Sequence, residues 1–355
     1  MYILEFFLLI VLFIIVHNFA VRRLLTVELT PDEVHYTYAA DGWRLAISRY
    51  CPPANTHGTP VILCHGLGAN RYNMDFDDDL SLAKYLRDRG FDSWVAELRG
   101  VGLSSHPRVF SKWQYGYDFD DFALRDAPAI VEAVQAETGG KKVFWVGHSM
   151  GGMVGYVFLQ GSLADSIKGM VAIASPPKFG KGGMLRVYIK AVHFGTSFKK
   201  AIHLEEVSRF FAPYAGWTPN KFLRIFANPD NMDRERLPEI SANLSENISK
   251  GVGRQFADWI ECGRMRSNDH RVDYWEGMKT IKTPILLISG GGDLLARDKY
   301  IKELFDILPE GDKTYQCFSK GEGHSHDYGH GDLVLGVNAH REVWPFISAW
   351  LEKRI

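Results

Sequence analysis

The chain carries almost no surplus of charge: 41 Lys and Arg stand against 42 Asp and Glu in 355 residues, for a formal net charge of −1. That balance removes the long-range field with which a nucleic-acid binder collects phosphates. Cysteine is scarce. Cys51, Cys64, Cys262 and Cys317 are scattered, without the close pairs of a zinc site, and nothing in their spacing asks for a disulfide framework. They mildly favour a reducing compartment. The chain has no internal repeat and no low-complexity tract. Lys and Arg are also missing before Arg22, where a cleaved secretory signal normally places basic residues ahead of its apolar run.

What the first residues do have is apolar side chains. Tyr2 to Val21 is interrupted only by Glu5, His17 and Asn18, and it ends at Arg22 and Arg23. A helix of about 20 such residues can cross a hydrocarbon core. A basic pair on its carboxyl side places the body that follows in the cytoplasm. The expectation is a transmembrane or membrane-anchor helix over residues 1–23, with a helix lying in a membrane or protein groove, or a cleaved signal, as the alternatives.

Beyond it, short apolar runs alternate with amphipathic stretches, the pattern of a mostly parallel sheet wrapped by helices and hence of an α/β fold. His35 to Ala39 and Arg44 to Tyr50, joined through Asp41-Gly42, read as a hairpin. Strands are expected at Val61–Cys64, Ser93–Ala96, Val143 onward, Ile167–Ala174, Ile285–Ser289 and Thr314–Phe318. Helices are expected at Leu80–Arg89, Phe122–Ala136 and Val343–Leu351. The alternation stops between Ser175-Pro176-Pro177 and Asp273. A structureless loop of that length is implausible, so residues 177–275 read as a helical cap inserted between two core parts, 30–176 and 276–355. Its aromatic residues, among them Tyr188, Phe194, Phe198, Phe210, Phe211, Tyr214, Trp217, Phe222 and Phe226, read first as the cap's own core. Its basic residues, Lys178, Lys181, Arg186, Lys190, Lys199 and Lys200, read first as a solvated face.

One local pattern carries chemistry. Val143-Phe-Trp-Val leads into Gly147-His148-Ser149-Met150-Gly151 and then into a helix-compatible run. A serine at the apex of a sharp strand-to-helix turn is exposed and aimed, and glycines two positions away on either side remove the Cβ atoms that would collide there. Ser149 is therefore a candidate nucleophile. Its acid partner is expected at Asp293, where the strand Ile285–Ser289 runs into Gly290-Gly291-Gly292. Its base is expected among His324, His326 and His330, with His330 preferred and His324 the alternative. Three nearby histidines also raise a metal site, but no convincing carboxylate or cysteine set accompanies them. The loop Cys64-His65-Gly66-Leu67-Gly68 suits an oxyanion hole built from the backbone N–H groups of Leu67 and Met150. His65 reads as structural. Asp75, Asp77, Asp78 and Asp79 precede a helix and read as its capping residues rather than as a cation site.

With these pieces placed, residues 30–355 resemble the α/β-hydrolase superfamily, on His65-Gly66-Leu67-Gly68, Glu97-Leu98-Arg99-Gly100-x-Gly102-x-Ser104, the Ser149 elbow, Gly292-Asp293 and His330. Gly90-Phe91-Asp92-x-Trp94 followed by Arg99-Gly100, and His330-Gly331-Asp332-Leu333 followed by Gly336, resemble its acid-lipase branch. The resemblance implies a cap over the active site and hydrolysis of esters with apolar acyl or alcohol parts, with no cofactor or metal. The chain departs from secreted acid lipases in its apparent anchor and its lack of a disulfide pattern. An acyltransferase or thioesterase would use the same residues, as would a carbon–carbon bond hydrolase, and a non-catalytic membrane-bound module would keep the fold alone.

Overall fold

The computed structural model describes residues 2–107, 114–178 and 201–355, and in the first helix the side chains of all but residues 2–4, 7 and 10. Ten strands are present among them: β1 Glu33–Tyr38, β2 Arg44–Tyr50, β3 Thr59–Cys64, β4 Phe91–Glu97, β5 Val143–His148, β6 Ile167–Ile173, β7 Ala201–Ile202, β8 Ile248–Ser249, β9 Ile285–Gly290 and β10 Lys313–Phe318. Eight form one sheet in the order β1-β2-β4-β3-β5-β6-β9-β10. In it the hairpin β1–β2 is antiparallel and β2 meets β4 antiparallel, while its other pairings are parallel; β7 and β8 form a separate antiparallel pair. Gly42 takes φ +83° to make the hairpin turn, a conformation costly for other residues.

Burial explains the sheet's composition. Val61, Ile62, Leu63, Val95, Phe144 and Val146 are fully buried, because helices cover both faces of a parallel sheet. One of these is the final helix, Ala339–Glu352, which buries Val343, Trp344, Ile347, Trp350 and Leu351. The expected helix at 122–136 is present, with a π-wound first segment, Phe122–Asp126, before the regular helix Ala127–Glu137. The acidic run acts less directly than its sequence suggests. Ser81 caps helix Leu82–Asp88 by accepting from Lys84 N, while buried Asp75 receives the Ser81 hydroxyl at 2.7 Å.

The sheet also fixes where a site can form. From β3 the chain moves to β4 on one side and then crosses to β5 on the other. Loops leaving the carboxyl ends of β3 and β5 therefore diverge and leave a crevice, the usual ligand position in such sheets. The described segment 201–280 is inserted between β6 and β9 and lies over that crevice; it includes helices Leu204–Phe211, Leu237–Leu244 and Lys250–Cys262. Tyr188, Phe194, Phe198, Lys181, Arg186, Lys190, Lys199 and Lys200 lie outside the described residues.

The amino-terminal segment corrects an expectation. Tyr2–Leu25 is one helix of 24 residues, but its last turns belong to the protein. Val21 is buried with Ala212 and Ala242, the His17 ring hydrogen-bonds the Phe210 carbonyl at 2.8 Å, and Asn243 Nδ2 donates to the Leu25 carbonyl at 2.6 Å. Among the described residues no helix is long and apolar enough to cross a membrane, so the transmembrane expectation for residues 1–23 is not retained.

Candidate active site

At the end of β5 the chain turns within two residues. Ser149 sits at φ +52° and ψ −118°, a strained conformation for a residue with a side chain, held because its surroundings leave no alternative. A Cβ on Gly147 would stand 2.3 Å from the Gly151 carbonyl carbon, and one on Gly151 would stand 2.3 Å from the Cys64 oxygen. The turn is thus clamped against β3. Ser149 N donates to Ile173 O at 2.8 Å, and Trp145 Nε1 donates to Gly151 O at 3.0 Å.

Asp293 and His330 meet the serine from the far side of the sheet. His330 Nε2 lies 2.9 Å from Ser149 Oγ, and His330 Nδ1 lies 2.8 Å from Asp293 Oδ2. A neutral imidazole donating from Nδ1 to the carboxylate leaves Nε2 as an acceptor for the serine hydroxyl. The Asp293 side chain is fully buried, and its Oδ1 accepts from the backbone N–H groups of Leu295 and Ala296, each at 2.8 Å. Three donors fix that carboxylate. The His330 loop is fixed in turn by Asp332, whose Oδ1 accepts from Gly329 N and from Asn228 N of the insert, and whose Oδ2 accepts from Asn231. Burial raises the Asp332 carboxyl to about 6.

The other two histidines are elsewhere. The His324 ring packs tilted against Phe318, with centroids 4.4 Å apart, and its Nε2 lies 3.2 Å from Gln316 Nε2, while His326 contacts Ser325 and Asn338. The structure therefore brings together Ser149, Asp293 and His330 and leaves His324 apart. No group of three or more His, Cys, Asp or Glu suited to a metal occurs among the described residues. All four cysteines are free.

The β3 loop reaches the serine closely: a Cβ on Gly66 would lie 3.2 Å from Ser149 Cβ. Neither Leu67 N–H nor Met150 N–H has an acceptor among the described residues. His65 is buried and its pKa is lowered to about 4 by burial, so it is neutral; it donates from Nδ1 to Gly66 O and accepts Leu98 N–H at Nε2. That histidine shapes the loop. Sequence reasoning missed the residues that hold the loop from behind. Asn73 Oδ1 accepts Gly66 N–H at 2.9 Å and also faces His148 Nδ1. Burial lowers His148 to about 3, keeping it uncharged beside His330, whose ring is 4.9 Å away. Glu246 accepts from Asn70 Nδ2 at 2.9 Å and from Gly102 N at 3.1 Å, while its own N–H donates to Gly68 O. No local sequence signal marks these contacts, and all but the Gly66–Asn73 bond join positions far apart in the chain.

Arg99, from the motif after β4, is a structural ion-pair hub. It is 1% exposed and bonds Asp126 from its backbone N, Nε and Nη2, and Asp41 from both terminal nitrogens. Above Ser149 and His330 lies a cavity of about 500 Å³. The insert lines it mostly with apolar side chains, including Val207, Phe222, Phe226, Leu237, Ile240 and Leu244, beside the hydroxyls of Ser208, Thr218, Ser241 and Ser245.

Comparison with known proteins agrees with this geometry. Residues 59–325 match the family model described as alpha/beta hydrolase fold. The chain belongs to that family. It is 30% identical to human lipase member N, covering 91% of this chain and 88% of the relative, and 30% identical to human gastric triacylglycerol lipase with the same coverage. Among solved structures, the enol-lactonase from Burkholderia xenovorans LB400 superposes with a TM-score of 0.62 over 90% of this chain and 100% of its own, at 15% identity. An esterase from Exiguobacterium antarcticum gives 0.60 over 89% and 98%, also at 15% identity. Within the family the chain resembles the acid lipases, and it is a carboxylic ester hydrolase.

Proposed function

We propose that the protein hydrolyses esters with apolar acyl or alcohol parts through an acyl-enzyme formed on Ser149. The observation that carries this reading is the continuous relay from Asp293 through His330 to Ser149, with distances of 2.8 and 2.9 Å, on the floor of an apolar cavity. His330 takes the hydroxyl proton as Ser149 Oγ attacks the ester carbonyl. Asp293 holds the ring's orientation and stabilises its cationic form. The N–H groups of Leu67 and Met150 receive the oxyanion, the second of them at the amino end of helix Met150–Phe158. His330 then protonates the leaving alcohol and deprotonates the water that releases the acid. The residues supply every proton transfer, so no cofactor or metal is required.

The segment 201–280 serves as a cap whose side chains select the apolar part of the substrate. Its lining, and the exposed apolar side chains of Phe6, Leu8, Leu9, Leu12 and Phe13, favour a membrane-associated setting. Turnover of a p-nitrophenyl ester series from short to long acyl chains, for the full chain beside its Ser149→Ala variant, tests the reading. Activity that rises with chain length and disappears in the variant supports it; equal activity in both proteins refutes it.

A further inference from the structure

On the insert's side of the cavity above Ser149, three hydroxyls stand together among apolar neighbours. Ser208 lies on helix Leu204–Phe211, and Ser241 and Ser245 lie on and just after helix Leu237–Leu244; each follows or precedes an apolar lining residue, Val207, Ile240 and Leu244. Ser208 Oγ donates to Ser241 O at 2.8 Å, Ser241 Oγ donates to Ser208 O at 3.2 Å, and Ser245 Oγ donates to Ser208 Oγ at 2.9 Å. The Ser208 and Ser241 hydroxyl oxygens are 3.0 Å apart. Such reciprocal bonds tie two helices together, and that role accounts for where the three hydrogens go. It does not account for the lone pairs. Each hydroxyl has one hydrogen and two lone pairs. Ser245 Oγ accepts from no described residue, and Ser241 Oγ has beside it only Ser208 Oγ, whose hydrogen already goes to the Ser241 carbonyl. The cluster therefore presents acceptors to the cavity and keeps its donors to itself.

We propose that Ser241 and Ser245 form a polar subsite that accepts a hydrogen bond from a free hydroxyl of the substrate. The preferred substrate is then a neutral ester, apolar over most of its length, that carries an alcohol group on its acyl or its alcohol part. The donor bookkeeping selects this chemistry. An ether or carbonyl oxygen finds no partner at the cluster, and a hydroxyl does. Among the described residues the cavity wall carries no Asp, Glu, Lys or Arg. An ammonium group brought to the same acceptors would lack a counter-charge, and a carboxylate would meet only lone pairs. A wholly apolar wall would impose the opposite order, because a hydroxyl buried without a partner forfeits its bond to water.

The choice of an ester rests on the hydrolase reading above; the subsite does not, so binding is measured apart from turnover. Isothermal titration of the full chain compares 1-octanol with its isomer 1-methoxyheptane, two unreactive ligands of equal size that differ in a single hydroxyl. The alcohol is expected to bind roughly fivefold tighter or more, and in the Ser241→Ala/Ser245→Ala variant that advantage should vanish. Equal affinities in the wild type, or a preference for the ether, would overturn the proposal before any variant is made. An advantage that survives in the double variant would also overturn it, by placing the hydroxyl elsewhere on the wall and leaving the serines as a helix tie alone. Turnover then locates the hydroxyl. A higher kcat/KM for 8-hydroxyoctyl acetate than for 7-methoxyheptyl acetate assigns it to the alcohol part, and a higher value for p-nitrophenyl 8-hydroxyoctanoate than for p-nitrophenyl 7-methoxyheptanoate assigns it to the acyl part. Turnover without preference in either pair would overturn the substrate assignment. No turnover of any of the four, with 1-octanol still preferred in binding, would uphold the subsite and sink the hydrolase reading instead.

Discussion

The Ser149 elbow and the amino-terminal helix are built from equally apolar sequence, yet they end in opposite environments. At the elbow, backbone atoms approach so closely that even a methyl group at Gly147 or Gly151 would lie 2.3 Å from main-chain atoms. At the helix, Phe6, Leu9 and Phe13 are largely exposed, and packing against the insert is seen from Ile14 and His17 onward. Rigidity at the first place is what aims a hydroxyl. Exposure at the second leaves apolar surface for something outside the chain to cover. Apolar composition alone does not separate these two fates. Glycine spacing and the presence of a neighbour do.

The comparison breaks most sharply by disabling the rigid end. Ser149→Ala should lower turnover of a soluble ester by roughly a thousandfold or more while leaving the melting temperature within a few degrees; steady-state rates beside a thermal melt check both halves. Gly151→Val should do the reverse, since no rotamer relieves a Cβ that meets the Cys64 carbonyl. A loss above about 4 kcal/mol is expected, read as failure to accumulate folded protein or as a melt far below the wild type. Asp126→Ala, away from the serine, should cost about 3 to 5 kcal/mol in urea unfolding because it strips buried Arg99 of its innermost partner. If that variant proves as stable as the parent, the Arg99 hub is ornamental and the rigid region ends at the elbow.

How far each region could be read in advance follows from the range of the interactions that define it. The elbow was legible because its constraint is local: Gly147, Ser149 and Gly151 occupy five consecutive positions. The strand-end placement of Asp293 and the late His330 were legible for a related reason, as sheet topology orders such loops along the chain. The sequence already favoured His330 over His324, though both follow β10; tertiary packing sends the first to Ser149 and the second onto Phe318. Asn70, Asn73 and Glu246 gave no signal at all, since contacts such as Asn70–Glu246 and Asn73–His148 join positions 176 and 75 apart. The spanning helix was misjudged for the same cause. Hydropathy counts the residues of a segment, and it does not see that Asn243 and Phe210 hold the last turns against the insert.

Glu246 offers the gentlest probe of how the two regions are joined, for it ties the end of helix Leu237–Leu244 to Gly68 and Asn70 of the loop beside Ser149. Burial, the dominant cause, raises its carboxyl to about 8 from an ordinary 4.5, although Asn70 and Gly102 donate to it. Below pH 4.5 the folded and unfolded chains both hold the proton. Between 4.5 and about 8 the unfolded chain releases it and the folded chain keeps it, so this group's contribution to stability is lost as pH rises through that window. Glu246→Gln keeps the neutral hydrogen-bonding shape and removes the titration. The variant's melting temperature should match the wild type near pH 4.5 and exceed it progressively toward pH 8, by an amount corresponding to a few kcal/mol at most. Asp126 and Asp332 titrate alike in both proteins and drop out of the difference. A difference that stays flat across the window would mean that Glu246 is ionised at neutral pH, with the neighbouring polar cavity, which Arg71 and Arg209 line, solvating its charge.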